Sequence, residues 1–225
     1  MSQPSAPTDR PLRRDAERNR QRILDAARVV FAERGLRASH DDIAHEAGVG
    51  VGTVYRRFPD KEQLIDALFE ERIGEIAQAA RDGLAIEDPW DGFVHFVMTT
   101  QELHSTDRGL KEIVLGTAHG RERATRARGL ISPLVAQLLE RAQTAGVVRP
   151  EISLSDMPLI QLAVGTIADA TRDLGPDTWR RLMTIILDGM HAGARSPSEI
   201  SSPPLDFEHV PEAMHNASPR PRASR

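Results

Sequence analysis

Residues 35 to 61 restrict the fold more than any other stretch, because helix-breaking positions recur there so closely that only short helices fit between them. Gly35, Gly48 and the pair Pro59-Asp60 bracket two apolar-patterned segments, 40–47 and 51–57. Glycine ends a helix cheaply in the left-handed position that follows it, and proline cannot continue one. Upstream, Ile23, Leu24, Ala27, Val30 and Phe31 share one stripe at i, i+3, i+4 spacing, which predicts a helix over 15–34 that Gly35 stops. Ser39 with Asp42 three residues on is a capping-box-like start for the helix 40–47.

Downstream the same punctuation predicts longer helices. Asp60 caps a helix over about 61–82 bearing Leu64, Leu68, Ile73 and Ile76. Asp88-Pro89 starts another that runs to about 105, with proline where its missing N–H costs nothing. Further helices are predicted over 107–118, over 121–145 with a start or kink at Ser132-Pro133, over 155–173 and over 177–193. No run alternates as a strand does, and the connections are short, so the expected fold is all-α with about nine helices. Residues 1–12 and the Pro/Ser-rich stretch 194–225 read as a disordered arm and tail.

Composition narrows the function classes. Apolar residues make up 40% of the 225, enough for a core, and the absence of cysteine excludes disulfides and thiolate metal sites and suits a reducing cytoplasm. No apolar run reaches the ~20 residues that span a bilayer, and no apolar stretch follows the basic N-terminal residues as a secretory signal requires. Net charge is −4, but residues 1–61 hold 12 Lys and Arg against 9 Asp and Glu, so a positive first quarter precedes an acidic remainder. One end is therefore suited to an anion.

The segment "GVGVGTVYRRF" raises a choice between two anion binders. A phosphate-cradling glycine loop follows a strand and spaces its glycines G-x-G-x-x-G; here the glycines follow a helix and the third stands two after the second. The alternative is a helix-turn-helix. Ile43, Ala44 and Ala47 face inward from the first short helix, Ala47-Gly48-Val49 forms the turn, and Val49 and Val54 pin the second helix. The outward side is then Val51, Gly52, Thr53, Arg56 and Arg57, side chains suited to base edges and thymine methyls in a major groove.

The stretch "ILDAARVVFAERGLRASHDDIAHEAGVGVGTVYRRFPDKEQLIDAL", residues 23 to 68, closely resembles the N-terminal module of the tetracycline-repressor (TetR) family of bacterial transcriptional regulators. Beyond residue 70 the resemblance lies only in length and helical layout. It implies a helix-turn-helix domain over 13–60, an effector-binding and dimerisation domain over 61–193, and an Ω-shaped homodimer on a palindromic operator in double-stranded DNA. The positions that match family DNA contacts are Ser39, Val51, Gly52, Thr53, Tyr55, Arg56, Arg57 and Lys61. Tyr55 can equally pack between helices, Ser39 can simply cap, and Arg56 with Arg57 can be a solvated pair. Gly50 and Val51 are non-polar where relatives often carry polar residues, which shifts direct readout towards Thr53 and the arginines. Arg10, Arg13, Arg14, Arg18, Arg20 and Arg22 form an N-terminal basic set suited to a DNA backbone or a minor groove, or to no more than a solvated helix start.

The resemblance further implies dimerisation through the last two helices. They carry Met157, Leu159, Ile160, Leu162, Ala163 and Ile167, then Leu182, Met183, Ile185, Ile186 and Met190, which can equally fill a monomer core. A small-molecule effector is expected among Trp90, Phe93, Phe96, Val97, Thr100, His104, Leu115, Leu134, Leu138 and Gln161, residues that could also be plain packing. The histidines, among them His40, His45, His95, His104, His119 and His191, lack metal-site spacing, so no metal and no cofactor is expected. No nucleophile motif or carboxylate pair supports catalysis. The expected function is a ligand-responsive regulator, most simply a repressor; the alternative is a helical small-molecule-binding protein or enzyme with a vestigial helix-turn-helix.

Overall fold

The computed structural model describes residues 9–106, 120–193, 200 and 202–216. These residues form nine α-helices and two short 3-10 turns, with no β-strand beyond an isolated Val148–His191 bridge. The helices are α1 (Asp9–Arg34), α2 (His40–Ala47), α3 (Val51–Arg57), α4 (Lys61–Ala85), α5 (Pro89–Thr106), α6 (Gly120–Thr144), α7 (Asp156–Thr171), α8 (Thr178–Met190) and α9 (Val210–Asn216). The predicted helix 107–118 lies outside the described residues. None of the described helices is long and apolar enough to cross a membrane. The chain divides into two compact units, Met1–Phe69 and Glu70–Arg225, with the boundary inside α4.

In the first unit, α1 packs on α2 and α2 on α3. Ile23, Leu24, Ala27, Val30 and Phe31 from α1, Ile43, Ala44 and Ala47 from α2, and Val54 and Phe58 are all buried, joined by Leu64, Ile65 and Leu68 from the start of α4. Each helix boundary has a local cause. Ser39 and Asp42 close a reciprocal capping box: the Asp42 N–H donates to Ser39 Oγ at 3.1 Å and the Ser39 N–H donates to Asp42 Oδ2 at 2.9 Å. Gly48 ends α2 at φ 61°, ψ 39°, with its N–H on His45 O and the Val49 N–H on Ala44 O, the paired bonds of a Schellman turn. Asp60 caps α4 by accepting the Gln63 N–H at 2.8 Å.

The second unit is a helical core in which α5 packs on α6 and α7, and α7 on α8. Phe93, Phe96, Val97, Leu138, Met157, Val164, Trp179, Met183, Leu187 and Met190 share one buried cluster. Asp88 starts α5 by accepting the N–H groups of Trp90 and Asp91 at 2.8 and 2.9 Å. A Cβ on Gly83 would lie 2.6 Å from the Gly92 carbonyl oxygen, so α4 and α5 approach backbone to backbone where neither residue has a side chain. Arg141 closes the same corner from α6, donating to the carbonyls of Leu84, Ile86 and Glu87 at 2.7–2.9 Å.

Two boundaries differ from the sequence reading. Residues 9–12, assigned to a disordered arm, are the first turn of α1, because nothing between Asp9 and Arg34 breaks the helix once Pro11 sits in its first turn. Within 194–225, assigned to a disordered tail, residues 207–216 form a 3-10 turn and α9. This segment packs on α6 and α7, burying Val210 and bringing the Phe207 ring under Arg128, which offsets its polar composition. Of the start or kink expected at Ser132-Pro133, the start is excluded, because Pro133 lies inside a continuous α6.

Two stability predictions follow, one from a glycine in each unit and one from the capping box of α2. Gly48→Ala forces a Cβ into a left-handed conformation, 3.1 Å from the Arg22 guanidinium, and should destabilise by about 1–2 kcal/mol in chemical denaturation. Gly74→Ala, in mid-helix with open space around the new Cβ, should instead stabilise by roughly 0.5–1 kcal/mol; equal effects at both sites would contradict the assigned conformations. The Ser39 hydrogen bonds, with Arg34 nearby, hold the Asp42 carboxyl below its ordinary value of 3.8. A carboxyl depressed in the folded state stabilises above its unfolded value and loses that contribution as pH falls through the folded one. The stability gap between wild type and Asp42→Asn should therefore be full near neutrality and close as pH drops below 3.8; thermal melts across that range check it.

Candidate nucleic-acid interface

α3 is seven residues long, and of its side chains only Val54 is buried, at 0% exposure. Apart from Tyr55, whose ring stacks on His40 of α2, the rest of the helix points away from α2. Val51 is 40% exposed, Gly52, Arg56 and Arg57 are exposed, and Thr53 is half-buried. The cause is the helical period: Val54 anchors the helix from its inner side, Tyr55 stacks on His40, and Val51, Gly52, Thr53, Arg56 and Arg57 form the outer surface. Gly50 and Gly52 meet nothing where a Cβ would stand. The protomer's own packing thus does not require glycine at either place, and the backbone there is open to close approach from outside.

The basic and hydroxyl groups on this surface are mutually ordered. Arg56 donates to Thr53 Oγ1 at 3.3 Å, tying together two of the three side chains, Thr53, Arg56 and Arg57, towards which sequence reading shifted base contact. Arg57 stands exposed beside them at the end of the helix. Lys61 is the first residue of α4, where helix amides and an ammonium can share one anion. Ser39 caps α2 and is still exposed, so its capping role leaves it accessible. The Tyr55 ring packs on His40 at 4.6 Å and 10°, and it stays 50% exposed. His40 is itself fixed, with Nε2 3.0 Å from the Phe58 carbonyl oxygen.

Sequence reasoning misplaced one arginine and missed one aromatic partner. Arg22 was grouped with the N-terminal basic set, but its guanidinium donates to Ala47 O at 2.7 Å and Gly48 O at 3.3 Å, so it clamps the elbow from α1. Only tertiary contact between residues 25 and 26 positions apart brings these groups together, and no local spacing could show it. Arg18 and Arg20 pair along α1 with Asp15 and Glu17. The side chains of Arg10, Arg13 and Arg14 lie outside the described residues. His40, weighed only as a metal ligand, instead supplies the stacking face for Tyr55.

The residues predicted to meet an effector lie in the second unit. Phe93, Phe96, Val97 and Leu138 are buried in its core, with Trp90 and Leu134 packed against them. Gln161 donates to Thr100 Oγ1 at 2.7 Å, and His104 Nδ1 lies 2.8 Å from Thr100 O, so the three polar candidates form one string. Leu115 lies outside the described residues. Gln101, which sequence reading passed over, is fully buried beside this string; with its amide oxygen and nitrogen exchanged it would accept the Gly165 N–H at 3.2 Å and donate to the Gln161 carbonyl at 3.2 Å. An open recess of about 430 Å³ lined by Pro89, Gln137, Glu140, Arg141, Thr144 and Ala145 shares none of the predicted effector residues. Among the described residues no group of acidic and histidine side chains is arranged to hold a metal ion.

Comparison with known proteins gives the same division of the chain. Residues 23–68 match the family described as bacterial regulatory proteins, tetR family, and residues 88–192 match the C-terminal domain of SbtR-like transcriptional regulators. The HTH-type transcriptional regulator UidR of Escherichia coli is 30% identical over 170 residues, which cover 69% of this chain and 83% of UidR. A TetR regulatory protein from Mycobacterium vanbaalenii superposes with a TM-score of 0.63 at 33% identity, covering 80% of this chain and 99% of its own. A TetR transcriptional regulator from Streptomyces coelicolor gives 0.62 at 30% identity, covering 76% and 98%. With α3 laid bare beside a glycine elbow and both segments of the chain matched, the protein belongs to the TetR family of bacterial transcriptional regulators.

Proposed function

We propose that this regulator binds a palindromic operator as a homodimer and is released from it by a small-molecule effector, acting as a cytoplasmic repressor. The observation that carries the reading is the partition of α3, with one buried anchor and an outward surface of Val51, Gly52, Thr53, Arg56 and Arg57. A surface of that kind fits the major groove, where an arginine fork can read guanine and a threonine or valine methyl can touch thymine. Ser39, Tyr55 and Lys61 then serve as phosphate contacts that set register.

A single such module reads one half-site, so affinity calls for two copies roughly 34–36 Å apart on one face of the duplex. α7 and α8 supply the dimer surface in this reading. Ile167 and Ile185 are exposed at 38% and 57%, and Leu174 between the two helices at 89%, an apolar surface that a partner would cover. The effector is taken to enter the α5–α7 region, with apolar contacts from Trp90, Phe93, Phe96, Val97, Leu134 and Leu138. Thr100, His104 and Gln161 provide its polar recognition, and Leu115 belongs to the same set. Coupling requires only that the effector prefer a dimer whose α3 helices are wrongly spaced for the operator. α4, whose residues are shared between the two units, carries that change.

Gel shifts against the promoter region of the protein's own gene test the reading. A sequence-selective shift that weakens steeply with salt is expected; no selective shift at low salt would sink it. Arg56→Ala should cost about 1–3 kcal/mol on the best site and relax preference at one base position, whereas Lys61→Ala should weaken all sequences alike and lower the salt slope by about 1. Wild-type binding by both variants would exclude this docking.

A further inference from the structure

α8 has two faces of opposite character. Trp179, Met183, Leu187 and Met190 are buried in the protomer core, while Arg181, Thr184, Ile185 and Asp188 line the exposed side. The exposed stripe carries one positive and one negative charge, seven residues apart, or about 10.5 Å along the axis. That separation is too long for the two to pair with each other. The neighbouring arginine behaves differently: Arg180 pairs with Glu102 and Asp177 and lies over the Trp179 ring. The exposed side of α7, Ala163, Thr166, Ile167 and Ala170, carries no charge that could answer either group.

We propose that the exposed stripe of α8 is a self-complementary docking surface for α8 of a second copy of this chain, running antiparallel with the two-fold axis between Thr184 and Ile185. An isologous contact places each residue opposite its mirror position in the helix. That axis sets Arg181 against the partner's Asp188, and Asp188 against the partner's Arg181, with the two Ile185 side chains meeting near the centre. Each charge is answered once, the pair recurring on either side of the axis, and the 57%-exposed Ile185 is covered. Gly189, beside Asp188, has no side chain to obstruct the incoming guanidinium, and the space where its Cβ would stand is open. A parallel pairing, or one shifted by a turn, brings like charges together or leaves all four unanswered. The charges therefore select the register, while the apolar groups supply the contact.

The inference rests on the dimer reading above, and one experiment separates the two. Sedimentation of the full-length protein at micromolar concentration is measured for wild type, Arg181→Asp, Asp188→Arg, the double variant, and an equimolar mixture of the two single variants. Each single variant places like charges at both contacts and should raise the dimer dissociation constant on the order of 100-fold. The double variant should dimerise like wild type, and the mixture should form heterodimers although neither component self-associates. Both positions are exposed in the protomer, and circular dichroism confirms that the variants are folded. A dimeric wild type whose single variants stay dimeric, or are not restored by the double variant and the mixture, overturns the register and leaves the dimer standing. A monomeric wild type overturns the dimer reading itself.

Discussion

The outward surface of α3 depends on the elbow between α2 and α3. Gly48 turns the chain at a positive φ, and its N–H and that of Val49 close the end of α2. Arg22 then reaches from α1 to the carbonyls of Ala47 and Gly48, so the turn is gripped from both sides of the motif. Hydrogen bonds to a charged donor contribute more than neutral ones, about 1.5–3 kcal/mol each. With the elbow fixed, the buried Val54 and the Tyr55–His40 stack hold α3 against α2. This arrangement leaves Val51, Thr53, Arg56 and Arg57 of a seven-residue helix on its outer side, with no side chain at Gly52 between them.

The second unit solves a different problem. Its core is apolar and continuous, yet it encloses Thr100 and Gln101 at 2% and 0% exposure, and Gln161 reaches in to bond Thr100. Buried polar groups of this kind cost stability unless all are answered. Here they are answered chiefly by backbone carbonyls and by one another, which ties α5 to α7. The surplus apolar surface of α7 and α8 is divided. Met157, Met183 and Met190 fill the protomer core, and Ala163, Ile167 and Ile185 remain outside. Sequence periodicity located both helices but could not make this division, since both faces of α8 carry large aliphatic side chains.

How much was legible follows the range of the interactions. The helices over 40–47 and 51–57 agree with the structure residue for residue, because Ser39, Gly48 and Phe58-Pro59 act on their immediate neighbours. The inward set Ile43, Ala44, Ala47 and Val54 was equally plain, since burial follows the helical period. Arg22 was assigned to the wrong partner because its acceptors lie on another helix. The same holds for His40 under Tyr55 and for the Gly83–Gly92 approach, contacts that no pattern within one segment encodes. The short helix after Phe207 escaped notice because its stability comes from docking Val210 and Phe207 on α6 and α7, against a Pro/Ser-rich composition.

The central claim is that the outer surface of α3 enters duplex DNA. Photo-crosslinking tests it most directly. A photoreactive side chain at Thr53 should crosslink to bases within an operator half-site, and the same probe at Gln78, exposed in the second unit, should not. Equal crosslinking from both positions, or none from Thr53 on DNA that the protein demonstrably binds, would contradict the account.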